Sequence, residues 1–120
     1  MRYIIIMALV VVSITGCYYD HANLVYPQAT CTITTATYSA NVTSILSANC
    51  NSCHAGNAAA GGGIKLDTYA SLKTYVNNGQ LMNSINQKGG IPAMPLNGSK
   101  LAACDINAIQ IWINNGAINN

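Results

Sequence analysis

The chain of 120 residues contains no Glu, and its only acids are Asp20, Asp67 and Asp105, far apart in sequence. Neither a paired-carboxylate site of the glycosidase kind nor an acidic calcium loop can be assembled from that supply. Charge of either sign is scarce: charged residues make up 7% of the chain, against about 25% in an average soluble domain. The positive side chains are Arg2, Lys65, Lys73, Lys88 and Lys100, with a formal balance of +2. That is no footprint for nucleic acid. The apolar run from Tyr3 to Val12 is too short to span a bilayer, which takes about 18 residues. There is no internal repeat, and the length suits one domain.

What is present begins with an address. Arg2, the apolar run and then Ser13, Ile14, Thr15 and Gly16 follow the order of n-region, h-region and small-residue cleavage site in a signal peptide. Ile14 to Cys17 resembles the lipobox of bacterial lipoproteins. The resemblance implies that residues 1–16 are removed and that Cys17 becomes the lipidated first residue. Each buried methylene contributes about 0.8 kcal/mol, so more than one acyl chain gives lasting membrane attachment. An ordinary secretory signal is the alternative. Either way the remaining cysteines meet an oxidising compartment, and the expected location is the outer membrane, a periplasm-facing membrane or the cell surface.

Residues 17–37 are rich in Thr, Tyr and Ala, include Pro27 and show almost no helical period, so they read as a tether; the stretch 30–37 suits a spacer or a short strand. Residues 38–120 read as the domain. Val42, Ile45 and Leu46 share one face of a short helix running into Cys50. Residues 56–63 hold four Gly and three Ala and form a loop. No Lys-Ser or Lys-Thr follows them as a phosphate loop would require. Asp67 is placed to cap a helix carrying Tyr69, Leu72, Tyr75 and Val76, with Gly79 ending it. Leu81 and Ile85 allow another helical turn or two. Two prolines keep the segment 91–97 out of regular helix. Leu101, Ile106, Ile109, Trp112 and Ile113 form a last helical stripe that stops near Gly116.

The chemistry is concentrated in Cys50-Asn51-Ser52-Cys53-His54, a CxxCH sequence and the attachment signature of a c-type haem. Two thiols three residues apart can reach the two vinyl groups on one porphyrin edge, and the next residue sets an imidazole under the iron. A zinc site completed by Cys31 or Cys104, and a Cys50–Cys53 redox pair, are the competing readings; the first needs reduced thiols and the second a βαβ context. Haem iron held by His54 has a second axial place, for which Met94, Met82 and His21 are candidates. Met94 stands between Pro92 and Pro95 on a stiff extended loop, which can present a thioether. Met82 lies on an expected helix, where Met is commonly core filler. His21 lies in the tether.

These residues resemble class I c-type cytochromes, and within them the monohaem domains of bacterial lipoproteins. The resemblance covers roughly Tyr38 to Ala117. It rests on the order of four segments: Cys50 to His54, Gly62 to Tyr69, Ile91 to Pro95, and Ile109 to Gly116. It implies an all-α domain wrapped around one covalent haem c, with iron bound by His54 and Met94. Ile64, Leu66, Tyr69, Pro95 and Trp112 would line the haem, although periodicity alone makes Trp112 ordinary core. Two departures stand out. Ala102 and Ala103 occupy the expected cap of the last helix, where the family commonly has Ser or Thr, a loss of about 1 kcal/mol. No proline follows His54 until Pro92, so the usual source of an acceptor for its second ring nitrogen is missing.

With Cys17 assigned to lipid and Cys50 and Cys53 to haem, Cys31 and Cys104 remain, and a disulfide between them is the economical expectation. The chain-entropy model gives such a loop about 4 kcal/mol; free thiols are the alternative. The functional expectation is a membrane-anchored carrier of single electrons between exported redox proteins, not an enzyme, with no small-molecule substrate and no nucleic-acid partner. A haem enzyme subunit or small-molecule binder with a displaceable distal ligand, and an assembly module with structural haem, are the alternatives.

Overall fold

The computed structural model describes residues 31–120. The expected signal peptide, the lipidation site Cys17, His21 and most of the expected tether lie outside the described residues. The packed unit is Cys31–Asn120. It therefore includes the end of the expected tether: residues 31–37 have no regular structure, yet Ala36 is buried and Ile33 packs against the core. The described residues form helices and no strand. None of these helices is long and apolar enough to cross a membrane.

The domain opens with a π-helical segment, Tyr38–Val42. Thr37 caps it by accepting from the Ala40 N–H at 3.2 Å, while the Thr37 N–H donates to Asn41 Oδ1 at 2.9 Å. This reciprocal arrangement satisfies donors that a helix start otherwise leaves open. The segment runs directly into α1, Thr43–Asn49, and buries Val42, Ile45 and Leu46 as their spacing requires. Helix α2, Asn51–His54, follows after a break at Cys50.

Helix α3 spans Tyr69–Asn77. Its cap is Thr68, which accepts from the Ser71 N–H; the expected cap, Asp67, instead accepts from the Gly56 N–H at 2.8 Å. Both neighbours are competent caps, and the carboxylate is taken by the loop. Gly79 supplies the left-handed φ of +76° between α3 and α4, Gln80–Ile85. Leu72, Leu81 and Ile85 are buried from this pair. Residues 91–97 are irregular, as two prolines demand. Helix α5, Ala103–Asn114, starts at Ala102 with no side-chain cap and buries Ala108, Ile109 and Trp112. Gly116, at φ +90°, turns the chain after its end.

The C-terminal residues bind the first and last helices together. Trp112 is fully buried, and its ring lies 5.8 Å from that of Tyr38, which meets Tyr69 edge-on at 5.2 Å. Each polar edge of this cluster finds a backbone acceptor in the tail: Trp112 Nε1 donates to the Ile118 carbonyl at 2.8 Å, and Tyr69 OH to the Ala117 carbonyl at 2.8 Å. Lys73 Nζ donates to the Gly116 and Ala117 carbonyls, and the Ser39 N–H donates to the Asn120 carbonyl. Buried aromatic polar atoms are thus satisfied without buried charge.

Two substitutions test this account by urea denaturation. Leu72→Ala leaves a cavity among α3, α4 and the core and should cost about 2–5 kcal/mol. Ala102→Ser provides the missing oxygen for the open N–H groups of α5 and should raise stability by about 1 kcal/mol.

Candidate metal centre

Cys50 is the joint between two helices, at φ −125° and ψ −40°. Its N–H donates to the Leu46 carbonyl of α1 at 2.8 Å, while its own carbonyl accepts from Cys53 and His54 at 3.1 and 3.0 Å. The five residues Cys50 to His54 are therefore one helical turn. Spacings of three and four place Cys50, Cys53 and His54 on one side of it. Their surroundings differ: Cys50 is half-buried, Cys53 exposed and His54 buried. Burial pushes the Cys50 thiol up to about 11. An attacking thiol of a redox pair needs the opposite shift, so this environment suits a thiol kept protonated near neutral pH.

His54 is seated by the loop that follows it. Its Nδ1 lies 2.9 Å from the Ile64 carbonyl oxygen. A carbonyl can only accept, so Nδ1 carries the hydrogen and Nε2 keeps a lone pair, the state that metal ligation requires. The Leu66 N–H donates to the His54 carbonyl at 2.8 Å, and the bond from the Gly56 N–H to Asp67 fastens the two ends of the loop. The missing proline is thus replaced by a plain peptide carbonyl.

Gly61 completes the seat. A Cβ at this position would lie 2.7 Å from the Cys53 carbonyl oxygen and 2.8 Å from His54 Cε1, and still nearer Nδ1. Only glycine lets the loop close on the imidazole. Its neighbours Gly62 and Gly63 serve differently, through positive φ angles of 64° and 79°. Sequence reasoning treated the glycine run only as a loop, and the run itself was the signal that a backbone approaches something closely.

The other candidates fall into three groups. Ile64 and Leu66 meet His54 through their backbones; the Leu66 side chain is buried and that of Ile64 is 36% exposed. Tyr69 and Trp112 are brought together around Tyr38, in the core. Met94 and Pro95 are half-buried, and the Met94 N–H donates to the Ser84 carbonyl at 3.0 Å, which fastens the extended segment to α4. Met82 packs against the core and lines an open groove of about 380 Å³ with Asn86, Leu101 and Ile106. Cys31 and Cys104 are free thiols, and Asn107 Nδ2, on the same helix as Cys104, lies 3.9 Å from Cys31 Sγ. Among the described residues, no three His, Cys, Asp or Glu side chains are gathered as a zinc ion would need.

The seat predicts a spectroscopic result. The ring nitrogens of neutral His54 should show the Nδ1–H tautomer in ¹⁵N NMR, and Gly61→Ala should abolish that preference by forcing the ring away from Ile64. An unchanged tautomer in Gly61→Ala would contradict the account. Comparison with protein-family models, curated proteins and solved structures gives no match, so the functional reading rests on the chain's own residues.

Proposed function

We propose that this chain is an exported, membrane-tethered c-type cytochrome domain that passes single electrons between redox proteins. One observation carries the reading: the CxxCH turn sets two thiols and one imidazole on the same side, with His54 held as an Nδ1–H tautomer by Ile64. The donor set fits a covalently attached haem c, since two cysteines are free to form thioethers and Nε2 is left for iron. Bound there, haem would supply reversible uptake and release of one electron.

The chain's residues then have separate tasks. Cys50 and Cys53 would hold the group, and His54 would offer it Nε2. Met94, on the segment fastened to Ser84, would add a thioether as a further ligand and so help keep small ligands out. Ile64 and Leu66 hold the imidazole from behind, and the hydrogen bond to Ile64 makes His54 a more basic ligand. Tyr69, Trp112 and Pro95 contribute apolar walls. Cys17 is the proposed lipid attachment site and keeps the domain at the membrane.

Sparse charge shapes the partnership. Lys65, Lys73, Lys88 and Lys100 against Asp20, Asp67 and Asp105 give little long-range steering, so docking relies on short-range contact. The electron-transfer rate with a physiological partner should accordingly change little with ionic strength; a steep fall between low and high salt would contradict this.

The ligand assignment has its own test. Protein produced with the haem-attachment machinery should carry covalent haem and, when oxidised, a sulfur-to-iron absorption band that Met94→Ala abolishes and Met82→Ala retains. Carbon monoxide should leave the reduced wild-type spectrum unchanged and bind the Met94→Ala variant. Rapid binding by the wild type would favour a haem protein with a displaceable distal ligand, and a colourless, correctly processed protein would end the reading.

A further inference from the structure

We propose that Asn97 is a site of spontaneous covalent modification, at which the Gly98 nitrogen closes on the Asn97 side chain and water opens the resulting succinimide to Asp or isoAsp. The modification needs no cofactor and is independent of the reading above.

The chain has three Asn-Gly pairs, at 78–79, 97–98 and 115–116. Glycine leaves its backbone nitrogen unshielded, so each pair carries the same local chemistry, and all three asparagines are exposed. What separates them is how firmly the fold holds each one. The Asn78 amide is tied at both atoms: Nδ2 donates to Gln80 Oε1 at 2.9 Å, and Oδ1 accepts from the Gln80 N–H at 3.0 Å. Around Asn115 the main chain is tied instead. The N–H groups of Asn115, Gly116 and Ala117 donate back to carbonyls of α5 at 2.9 to 3.0 Å, and Lys73 holds the Gly116 carbonyl.

Asn97 stands at the tip of an irregular turn. The Gly98 N–H closes the turn by donating to the Pro95 carbonyl at 3.1 Å, and residues 96–100 are all exposed. Asn97 sits in the left-handed region at φ +56°, which Asn tolerates better than most residues that carry a side chain. A Cβ on Gly98 would lie 3.2 Å from Pro95 Cβ, so the close turn favours the very residue that eases attack. An exposed tip of this kind opens locally at little cost, whereas a site bound into a helix end reacts only when that end opens.

The chemistry balances without a redox partner. The Gly98 nitrogen gives up its proton and bonds to Asn97 Cγ, the Cγ–Nδ2 bond breaks, and Nδ2 leaves as ammonia with that proton. Water then adds to one of the two ring carbonyls, and the ring C–N bond there breaks. Opening at Cγ gives Asp; opening at the main-chain carbonyl gives isoAsp, whose main chain runs through Cβ and Cγ. One water is consumed, one ammonia is released and a neutral amide becomes a carboxylate. The formal balance of +2 falls by one, and a chain with so few acids gains one on the segment that carries Met94.

The test incubates the purified full-length protein in warm, mildly alkaline buffer, with and without urea, and follows the three Asn-Gly peptides by chromatography and mass. In the folded protein, Asp and isoAsp should accumulate at position 97 on the order of tenfold faster than at 78 or 115. In urea the three rates should converge, because the fold that separates them is gone. Comparable rates in the folded protein, or faster conversion at 78 or 115, would overturn the assignment. An equal lead for position 97 in urea would overturn it too, by tracing the difference to local sequence alone.

Discussion

The hydrogen bond between His54 and the Ile64 carbonyl is the constraint around which the candidate site is organised. It fixes a tautomer, an orientation and a loop at the same time. A buried imidazole with Nδ1 unsatisfied would lose the cost of desolvating a polar group, about 1–3 kcal/mol. Here that nitrogen is satisfied by the backbone ten residues on. The return bond from the Leu66 N–H to the His54 carbonyl ties the loop to the backbone of the same residue, which keeps the Ile64 carbonyl within reach of the ring. Gly61 is needed because the loop must come this close.

The wider domain follows the same economy, in which backbone carbonyls rather than charged side chains satisfy buried polar atoms. Trp112 and Tyr69 donate to the chain's last residues, and the one lysine that reaches inward, Lys73, also donates to carbonyls at the end of α5. These carbonyls lie in the tail that follows α5, where the lysine holds the chain's return against α3. A chain with so few acids can therefore close its core without ion pairs.

Much of the helical scaffold was legible in the sequence, because a period of 3.6 leaves a visible trace. Val42, Ile45, Leu46, Leu72, Leu81, Ile85, Ile109 and Trp112 are all buried, and Gly79 and Gly116 stand at the helix ends. The cap of α3 was misread by one residue because Asp67 and Thr68 are chemically alike as caps, and only the fold reveals that Gly56 claims the carboxylate. Burial of Ala36 and the packing of Ile33 against the core were hidden by their Thr-rich setting. The partner of His54 was illegible for a deeper reason. It is a peptide carbonyl, which every residue owns, so nothing distinguishes Ile64 in the sequence. Gly61 was visible as a glycine, but the atom that excludes a Cβ belongs to a residue seven positions away.

The four described cysteines stand in contrasting environments. In an oxidising compartment any pair of nearby thiols is a candidate disulfide, yet thioether formation needs both CxxCH sulfurs reduced. The environments differ even within the CxxCH turn, where Cys50 is half-buried and Cys53 exposed. Cys50, with its thiol raised to about 11 by burial, holds a thiolate fraction near pH 7 of only about one in ten thousand, and the thiolate is the species that attacks disulfides. Cys31 has the contrary setting: half-exposed, accepting hydrogen bonds and pulled down. For a turn that is to carry haem, as proposed above, the half-buried Cys50 is the sulfur least exposed to premature oxidation, because so little of it is thiolate.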